Sequence, residues 1–408
     1  MNKKLNLTFG VEIECIVYFD PDHYEEGLPD SEGILWENEP ASPYNHEIGL
    51  RALLRQHVIE FFRANGCPTY DLRSDGGDQK WTVTNDPSIE TNNREEEKFL
   101  ECDVEIKSPA LHLCSKALGR VRDLVHLLTR EFNVSVNNTC GLHVHIGNGR
   151  RGFPLQTLKQ FSIMTAMFEH QLNSIHPAHR LSNPHAKGPS AIFQGQNPWD
   201  TVREIQRCRT KDQLALLYKN DEGYVDRRFA YNLCPVVSRP SKTIEFRQHE
   251  GTLDERQIVN WIHLAGGVVD AMHKISANDL AQLISTCAFD PSFTVCDLLG
   301  RLNLQYLIPY YFGRLHSHLR PEPIWVPARM DGSVEVVPRR PPALDRWHRM
   351  EERHKSERLG ALEKLEELDK RHALERCREL ERQSLEVDAS RATQSQEGEE
   401  DALTTELV

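Results

Sequence analysis

The sequence lacks the features that define several large classes of proteins. Its ten cysteines include no Cys-x-x-Cys pair, which argues against a disulfide framework or a zinc knuckle. It contains no run of about 18 apolar residues, so no segment is predicted to span a bilayer. Basic residues number 49 and acidic residues 61, and the net charge of -12 gives no overall field that would attract nucleic acid or anionic lipid. These absences predict a soluble, cytoplasmic protein that binds neither nucleic acid nor membranes.

The two common phosphate-binding loops are also missing. No G-x-x-x-x-G-K-[ST] sequence occurs anywhere in the chain. Residues 147–152 match G-x-G-x-x-G, but Pro154 is expected to start the next helix two residues late, and no acidic residue ends a second parallel strand about 20 positions on. Arg150 and Arg151 in this glycine turn are either solvated or contact a phosphate or a substrate carboxylate. Any bound nucleotide must therefore be held by a different arrangement.

The periodicity of the apolar residues predicts an α+β protein. Alternation with period 2 predicts strands over residues 5–19, 81–84, 99–107, 140–147, 224–237 and 243–249. Helical spacing predicts helices over residues 50–64, 115–132, 154–176, 201–219 and 255–275. Asp254 is the expected N-cap of the last helix. Residues 20–49 and 85–98 are predicted as loops, and residues 176–199 as a flap or binding loop in which Arg180 and His185 are candidate substrate contacts.

The composition changes beyond residue 320. Residues 1–320 are predicted to form one domain, and the proline-rich residues 321–343 a linker. Residues 344–387 are rich in charge and predicted to be helical. Leucines at positions 359, 362, 365 and 368 favour a coiled coil, whereas the loss of that pattern at positions 372 and 377 favours a solvated single helix. This helix is a candidate surface for association with itself or with a partner, and residues 388–408 are predicted to be disordered.

Four of the predicted strands carry acids, imidazoles or guanidinium groups at alternate positions. They are Glu12-Ile-Glu14, Asp103-Val-Glu105-Ile-Lys107, His143-Val-His145 and Thr243-Ile-Glu-Phe-Arg-Gln-His249. Because side chains alternate across a pleated sheet, the charged residues within each strand point to one face, about 7 Å apart. Each strand is therefore predicted to have one polar face and one face in the core.

Two interpretations of this polar face remain open. An antiparallel sheet can simply expose one side to water. An exposed face, however, usually mixes Lys, Thr, Ser and Gln, whereas this one is dominated by carboxylates and imidazoles. Carboxylates that crowd together without a cation raise one another's pKa values and destabilise the fold. The pattern therefore favours a site for divalent cations, and the mixture of oxygen ligands with imidazole favours Mg²⁺ or Mn²⁺.

At these residues the sequence resembles a known group of enzymes. Gly10-Val-Glu-Ile-Glu14, Gly141-Leu-His-Val-His145 and Glu245-Phe-Arg247 are similar to the G-x-E-x-E, G-[LM]-H-x-H and E-x-R signatures of the glutamine synthetase and glutamate-cysteine ligase superfamily. The longer strings at residues 104–109, 140–146 and 245–254 most resemble its amidoligase branch. The motifs occur in order over roughly residues 5–270. The resemblance implies an antiparallel sheet curved around an ATP and metal site, with helices on its outer face.

The resemblance also implies roles for individual residues. Metal ligands would be Glu12 and Glu14 on two different divalent ions, with Glu105 joining one ion and His143 and Glu245 completing the other. Arg247 would contact the transferring phosphoryl group, and His145 and Arg150 are further candidates for binding ATP. His249, Glu250 and His145 are candidates to accept a proton from an attacking amine.

The implied reaction is ATP-dependent ligation of a carboxylate to an amine. The carboxylate would attack the terminal phosphate of ATP, and the amine would displace phosphate from the resulting acyl phosphate to form an amide. The acid and the amine are expected to be small molecules or peptides. Alternatives are a phosphotransferase of the same fold, a metal-dependent hydrolase that uses His143 and His145 to hold Zn²⁺, and a non-catalytic scaffold.

Overall fold

The computed structural model describes residues 4–19, 43–70, 80–91, 100–193, 196–238 and 242–318. All of these residues lie in the first of the two units into which the chain divides, residues 1–321. The predicted linker 321–343, charged helix 344–387 and disordered tail 388–408 lie outside the described residues.

A nine-stranded sheet organises the described residues. Its order is β2-β3-β4-β1-β7-β9-β8, and two short strands, β5 and β6, also pair with β1. Neighbouring strands are antiparallel except β2 and β3, which are parallel. The strands are β1 (Thr8–Phe19), β2 (Thr69–Tyr70), β3 (Trp81–Thr84), β4 (Leu100–Lys107), β5 (Leu111–His112), β6 (Asn133–Ser135), β7 (Gly141–Gly147), β8 (Tyr231–Asn232) and β9 (Ile244–Glu250).

Strand β1 lies between β4 and β7, and its side chains show the difference between the two faces of the sheet. Phe9, Val11 and Ile13 alternate along one face and are buried in the hydrophobic core. Glu12 and Glu14 occupy the intervening positions, so they face the other side. The period-2 pattern of the sequence thus becomes a sheet with one apolar face and one acidic face.

Helices cover the apolar face of the sheet. Helix α9 (Glu255–Lys274) packs against α2 (Ser115–Glu131), α3 (Leu155–Met167) and β7. The buried residues of α2 recur at helical spacing, from Leu118 through Val121 and Val125 to Leu128. The longer helices are α1 (Pro43–Ala64), α2 (Ser115–Glu131), α3 (Leu155–Met167), α6 (Pro198–Arg207), α9 (Glu255–Lys274) and α12 (Ile308–His318). The shorter ones are α4 (Glu169–Asn173), α5 (Ala178–Leu181), α7 (Lys211–Ala215), α8 (Cys234–Ser238), α10 (Ala277–Leu283) and α11 (Val295–Arg301).

Several predicted elements have different bounds in the structure. The first helix starts at Pro43, so residues 43–49 are helical rather than part of a loop. The residues predicted as one helix over 201–219 form two helices instead. Helix α6 ends before Thr210, and the side chain of Thr210 caps the start of α7. The strand predicted over 224–237 is wrong: only residues 231–232 pair with β9, and Cys234–Ser238 is helical. A short apolar run does not distinguish a strand from a buried turn of helix.

The predicted α+β class is confirmed by the mixture of helices and an open, mainly antiparallel sheet. Asp254 caps α9 as expected, because its side chain accepts hydrogen bonds from the backbone N–H groups of Arg256 and Gln257. Among the described residues, no helix combines the length and the apolar character needed to cross a membrane.

Candidate functional site

The strand register brings the charged residues of four strands together on the acidic face. Glu12 of β1 lies opposite Lys107 of β4 and opposite His143 of β7. Glu14 lies opposite Glu105 of β4. Across the next pair of strands, His145 lies opposite Glu245 of β9. Because residues directly opposite one another project to the same face, residues far apart in sequence share one surface.

The ligand atoms of these residues lie close enough to share cations. Three groups each offer ligand atoms that all lie within 4.8 Å of one another: Glu12 with Glu105 and His143; Glu12 with His145 and Glu245; and Glu14 with Asp86 and Glu105. The five predicted metal ligands, Glu12, Glu14, Glu105, His143 and Glu245, all belong to at least one group. Glu12 and Glu105 each belong to two groups, so the three groups form one continuous cluster.

Two imidazoles hold Glu12 in place. Its Oε2 lies 3.3 Å from His143 Nδ1, and its Oε1 lies 3.2 Å from His145 Nε2. Burial by itself would raise the pKa of Glu12, but the hydrogen bonds and positive charge of the two histidines bring this pKa well below its usual value. Glu12 is therefore a carboxylate that two neighbours keep ionised.

The pKa of Glu105 is shifted in the opposite direction from that of Glu12. Burial and the nearby charge of Glu12 raise the pKa of Glu105 to about 7, although the ammonium group of Lys107 opposes the shift. Lys107 Nζ lies 2.7 Å from Glu105 Oε2 and 3.9 Å from Glu12 Oε1. Lys107 thus partly neutralises two carboxylates that would otherwise repel each other. A divalent cation could meet the same electrostatic need.

Asp86 is a candidate ligand that the sequence did not reveal. It follows β3 in a turn that was predicted only as an exposed loop, and its Oδ1 accepts a hydrogen bond of 2.8 Å from Ser88 N. Sequence spacing gave no signal, because a single Asp before Pro and Ser looks like any turn residue. Pairing between β3 and β4 brings Thr84 opposite Glu105, and Asp86 follows two residues later.

Arg247 lies at the edge of the cluster and is held from two sides. Its Nη1 donates to Glu245 Oε1 at 2.5 Å, and its Nε donates to the backbone oxygen of His185 at 3.2 Å. Asn232 Nδ2 donates to the other oxygen of Glu245 at 2.6 Å, a contact that the sequence did not suggest. Among the described residues, Arg247 Nη2 has no hydrogen-bond partner in the structure. The orientation of the guanidinium is thus fixed, while one of its nitrogens remains available to donate to an anion.

A β-bulge explains where His249 lies. Val144 pairs with Phe246, but Leu142 pairs with His249, so Arg247 and Gln248 together face the single residue His143. The extra residue reverses the alternation, and His249 joins Leu142 on the apolar face. Its ring contacts Trp261, with the ring centroids 5.2 Å apart.

This placement corrects the expectation that His249 lies near the reacting groups. His249 is 1% exposed, and its Nδ1 donates to the backbone oxygen of Glu250 at 2.7 Å. Burial and the charge of Arg314 lower the pKa of His249 to about 3. Simple alternation would have placed His249 beside Glu245 and Arg247, and a bulge cannot be read from the alternation itself.

Of the remaining predicted residues, Glu250 and Arg150 lie at the ends of the acidic face and His145 lies within it. Glu250 lies opposite Gly141 and forms an ion pair with Arg314. Arg150 is exposed in the turn that follows β7. His145, expected to bind ATP, lies in the ligand group with Glu12 and Glu245.

Three side chains crowd the space next to Gly141. Gly141 N donates to Glu14 Oε2 at 2.6 Å. A Cβ atom at this position would lie 2.8 Å from His143 Nε2, 3.1 Å from Arg180 Nη2 and 3.4 Å from Glu14 Oε2. The glycine of the G-[LM]-H-x-H motif therefore makes room for three side chains of the site.

Comparison with known proteins identifies the family of the chain. A family model described as "Putative amidoligase enzyme" matches residues 5–269, which include the whole acidic face. A search of curated proteins found no match. The family match agrees with the resemblance drawn from the motifs on β1, β7 and β9. The chain belongs to the amidoligase family.

Proposed function

We propose that the protein is an ATP-dependent carboxylate–amine ligase that forms an amide bond through an acyl phosphate, with Mg²⁺ or Mn²⁺ bound at the acidic face. The observation that carries the proposal is the sharing of Glu12 and Glu105 between ligand groups. Shared ligands suit two neighbouring cations, and two cations are the arrangement that neutralises phosphate oxygens during phosphoryl transfer.

The chemistry of the ligand set supports Mg²⁺ or Mn²⁺ over Zn²⁺. Four of the residues that could hold an ion supply carboxylate oxygens from β1, β4 and β9, and these are Glu12, Glu14, Glu105 and Glu245. Hard oxygen ligands suit Mg²⁺ and Mn²⁺, whereas structural and catalytic zinc sites are dominated by His and Cys. Glu12 and Glu14 would hold different ions, and Asp86 would add an oxygen to the ion near Glu14.

Arg247 is the proposed phosphate ligand of the chain. Its Nη1 is fixed by Glu245, which would itself bind a cation, so Nη2 would lie beside a metal-bound phosphate. Arg150, in the exposed turn after β7, is the second candidate for contact with ATP. When bound, the cations would supply positive charge to the transferring phosphoryl group.

The proposed reaction has two steps. A carboxylate oxygen of the acid attacks the terminal phosphorus of ATP, and the bond from that phosphorus to the bridging oxygen breaks, which releases ADP. The amine nitrogen then attacks the acyl carbon, loses a proton, and displaces phosphate to leave an amide. His145 and Glu250 remain proposed acceptors of this proton, whereas His249 is buried on the opposite face.

A screen for ATP consumption tests the proposal. Pools of carboxylic acids and amines, including peptides, are incubated with the full chain, ATP and Mg²⁺. We expect ADP, phosphate and a condensation product only when an acid and an amine are both present. Glu14→Gln and Arg247→Ala should each abolish turnover in a folded protein. Glu131→Gln and Arg130→Ala, at exposed positions at the end of α2, are the matched controls and should retain it.

Other outcomes of the same screen would point to the alternatives. A phosphorylated product without free phosphate would indicate a phosphotransferase. Turnover without nucleotide would indicate a hydrolase, for which Arg247 beside Glu245 has no evident use. Retention of activity in both Glu14→Gln and Arg247→Ala would remove the site assignment altogether.

A further inference from the structure

The β-bulge in β9 is bound by one buried arginine from a distant part of the chain. Arg180, in helix α5, is 2% exposed. Its Nη2 donates to the backbone oxygen of Arg247 at 2.7 Å, and its Nε donates to the backbone oxygen of Gln248 at 3.3 Å. Arg247 and Gln248 are the two bulged residues that face His143. A single guanidinium therefore binds both carbonyls of the bulge.

A bulge in a buried strand needs such a partner. The extra residue interrupts the regular ladder, so backbone carbonyls there lose their strand partner. Buried carbonyls are almost always hydrogen-bonded. Two donors on one planar group match two successive carbonyls better than the point charge of a lysine would. Arg180 thus supplies the hydrogen bonds that the two bulge carbonyls need. It thereby stabilises the change in register of β9 across the bulge.

The same bulge fixes the direction of Arg247. Glu245 and Arg247 project to the acidic face before the register shift, and His249 projects to the apolar face after it. The side chain of Arg247 is held by Glu245 and by the carbonyl of His185. His185 and Arg180 both belong to the segment between α4 and α6. This segment therefore contacts both the backbone and the side chain of Arg247.

We propose that Arg180 is a positioning residue: it binds the bulge carbonyls, fixes the backbone from which Arg247 projects, and so directs Arg247 toward a bound phosphate. The inference rests on the proposed function, because it takes Arg247 as a phosphate ligand. Arg180 acts through the backbone of Arg247, whose carbonyl accepts a hydrogen bond from its Nη2.

The alternative role is structural. Arg180 could simply anchor α5 to the sheet, and its loss would then weaken any binding at the acidic face by disturbing the fold. The two roles differ in one respect. A residue that acts through Arg247 should have no further effect on nucleotide binding once Arg247 has been replaced, whereas a purely structural residue should have the same effect in both backgrounds.

A double-mutant cycle on the full chain separates these roles. Calorimetry measures the affinity for Mn²⁺ alone, and then for the β,γ-imido analogue of ATP in the presence of Mn²⁺. We expect Arg180→Met and Arg247→Met each to weaken nucleotide binding roughly 10- to 100-fold, the effect of losing one charge-assisted phosphate contact. The double variant should bind no more weakly than Arg247→Met. Affinity for Mn²⁺ alone should not fall in Arg180→Met, which shows that the acidic face is intact.

One further variant and one further measurement complete the test. Arg180→Lys keeps the positive charge but loses the planar pair of donors that binds the two carbonyls. We therefore expect it to behave like Arg180→Met. Wild-type nucleotide affinity in Arg180→Met, or additive losses in the double variant, would overturn the inference. If the wild-type protein binds no nucleotide, the proposed function fails, and a crystal structure of Arg180→Met still decides the inference. The 2.5 Å contact between Arg247 and Glu245 should open in that structure, and an unchanged contact would refute the positioning role.

Discussion

Replacement of His249 by Gln should flatten the pH dependence of folding stability. His249 is fully buried against Trp261, and burial with the charge of Arg314 lowers its pKa to about 3 from an ordinary value of 6.5. The folded protein therefore keeps this imidazole neutral at pH values where the unfolded chain protonates it. Stability from this group is present above about pH 6.5 and is lost as the pH falls toward 3.

The size of the effect follows from the two pKa values. One pH unit inside this window corresponds to about 1.4 kcal/mol for a single proton. Between pH 7 and pH 5 the unfolded chain gains most of one proton that the folded chain does not bind. The wild-type protein should therefore lose about 2 kcal/mol more stability over that range than the His249→Gln variant does.

Urea denaturation of both proteins at pH 7, 6 and 5 measures this difference. Gln keeps a side-chain N–H for the backbone oxygen of Glu250 but does not titrate. His126→Gln is the matched control, because His126 lies at an exposed position of α2, and its pH dependence should follow the wild type. Parallel curves for His249→Gln and the wild type would refute the burial of His249 in the core, and with it the bulge that places it there.

The remaining predictions concern the site and the helix caps. Glu12→Gln should weaken Mn²⁺ binding roughly 100-fold by calorimetry, about 2.7 kcal/mol, since Glu12 belongs to two ligand groups; a loss below threefold would contradict the shared cluster. Gly141→Ala should also weaken Mn²⁺ binding, because the new Cβ would lie 2.8 Å from His143 Nε2. Gly119→Ala is the control: its new Cβ would have no atom within 4 Å, so this variant should bind Mn²⁺ normally. It should also gain up to about 1 kcal/mol of stability, because alanine has a higher helix propensity than glycine. Asp254→Ala should cost about 1 kcal/mol in urea denaturation through the loss of the α9 cap, and an unchanged midpoint would show that the cap is dispensable. Deletion of residues 343–408 should leave Mn²⁺ affinity and turnover unchanged, and their loss would show that the C-terminal segment contributes to the site.

Local pattern was enough to predict the strands that build the acidic face. Period-2 alternation on β1, β4, β7 and β9 follows from the pleat of a strand, so the residues on each polar face could be assigned without coordinates. The mutual placement of the strands could not be read in the same way. The pairing of Glu14 with Glu105 depends on register, which is set by contacts between distant parts of the chain.

The features that the sequence did not reveal arise from tertiary structure. The bulge at Arg247 and Gln248 reverses an alternation that looks regular in sequence, and so moves His249 to the core. Arg180, a candidate substrate contact in the predicted loop, is instead buried against the backbone of β9. Asp86 joins the ligand cluster only because β3 pairs with β4. In each case a long-range contact determines a position for which local sequence has no signal.

Crystals soaked with Mn²⁺ and the β,γ-imido analogue of ATP would show whether the acidic face binds cations and nucleotide together. Anomalous scattering locates each ion independently of the rest of the electron density. We predict at least two Mn²⁺ peaks on the acidic face, coordinated by Glu12, Glu14 and Glu105, with the analogue's terminal phosphate beside Arg247. An analogue bound elsewhere, or an acidic face without Mn²⁺ at saturating concentration, would contradict the proposed ATP and metal site.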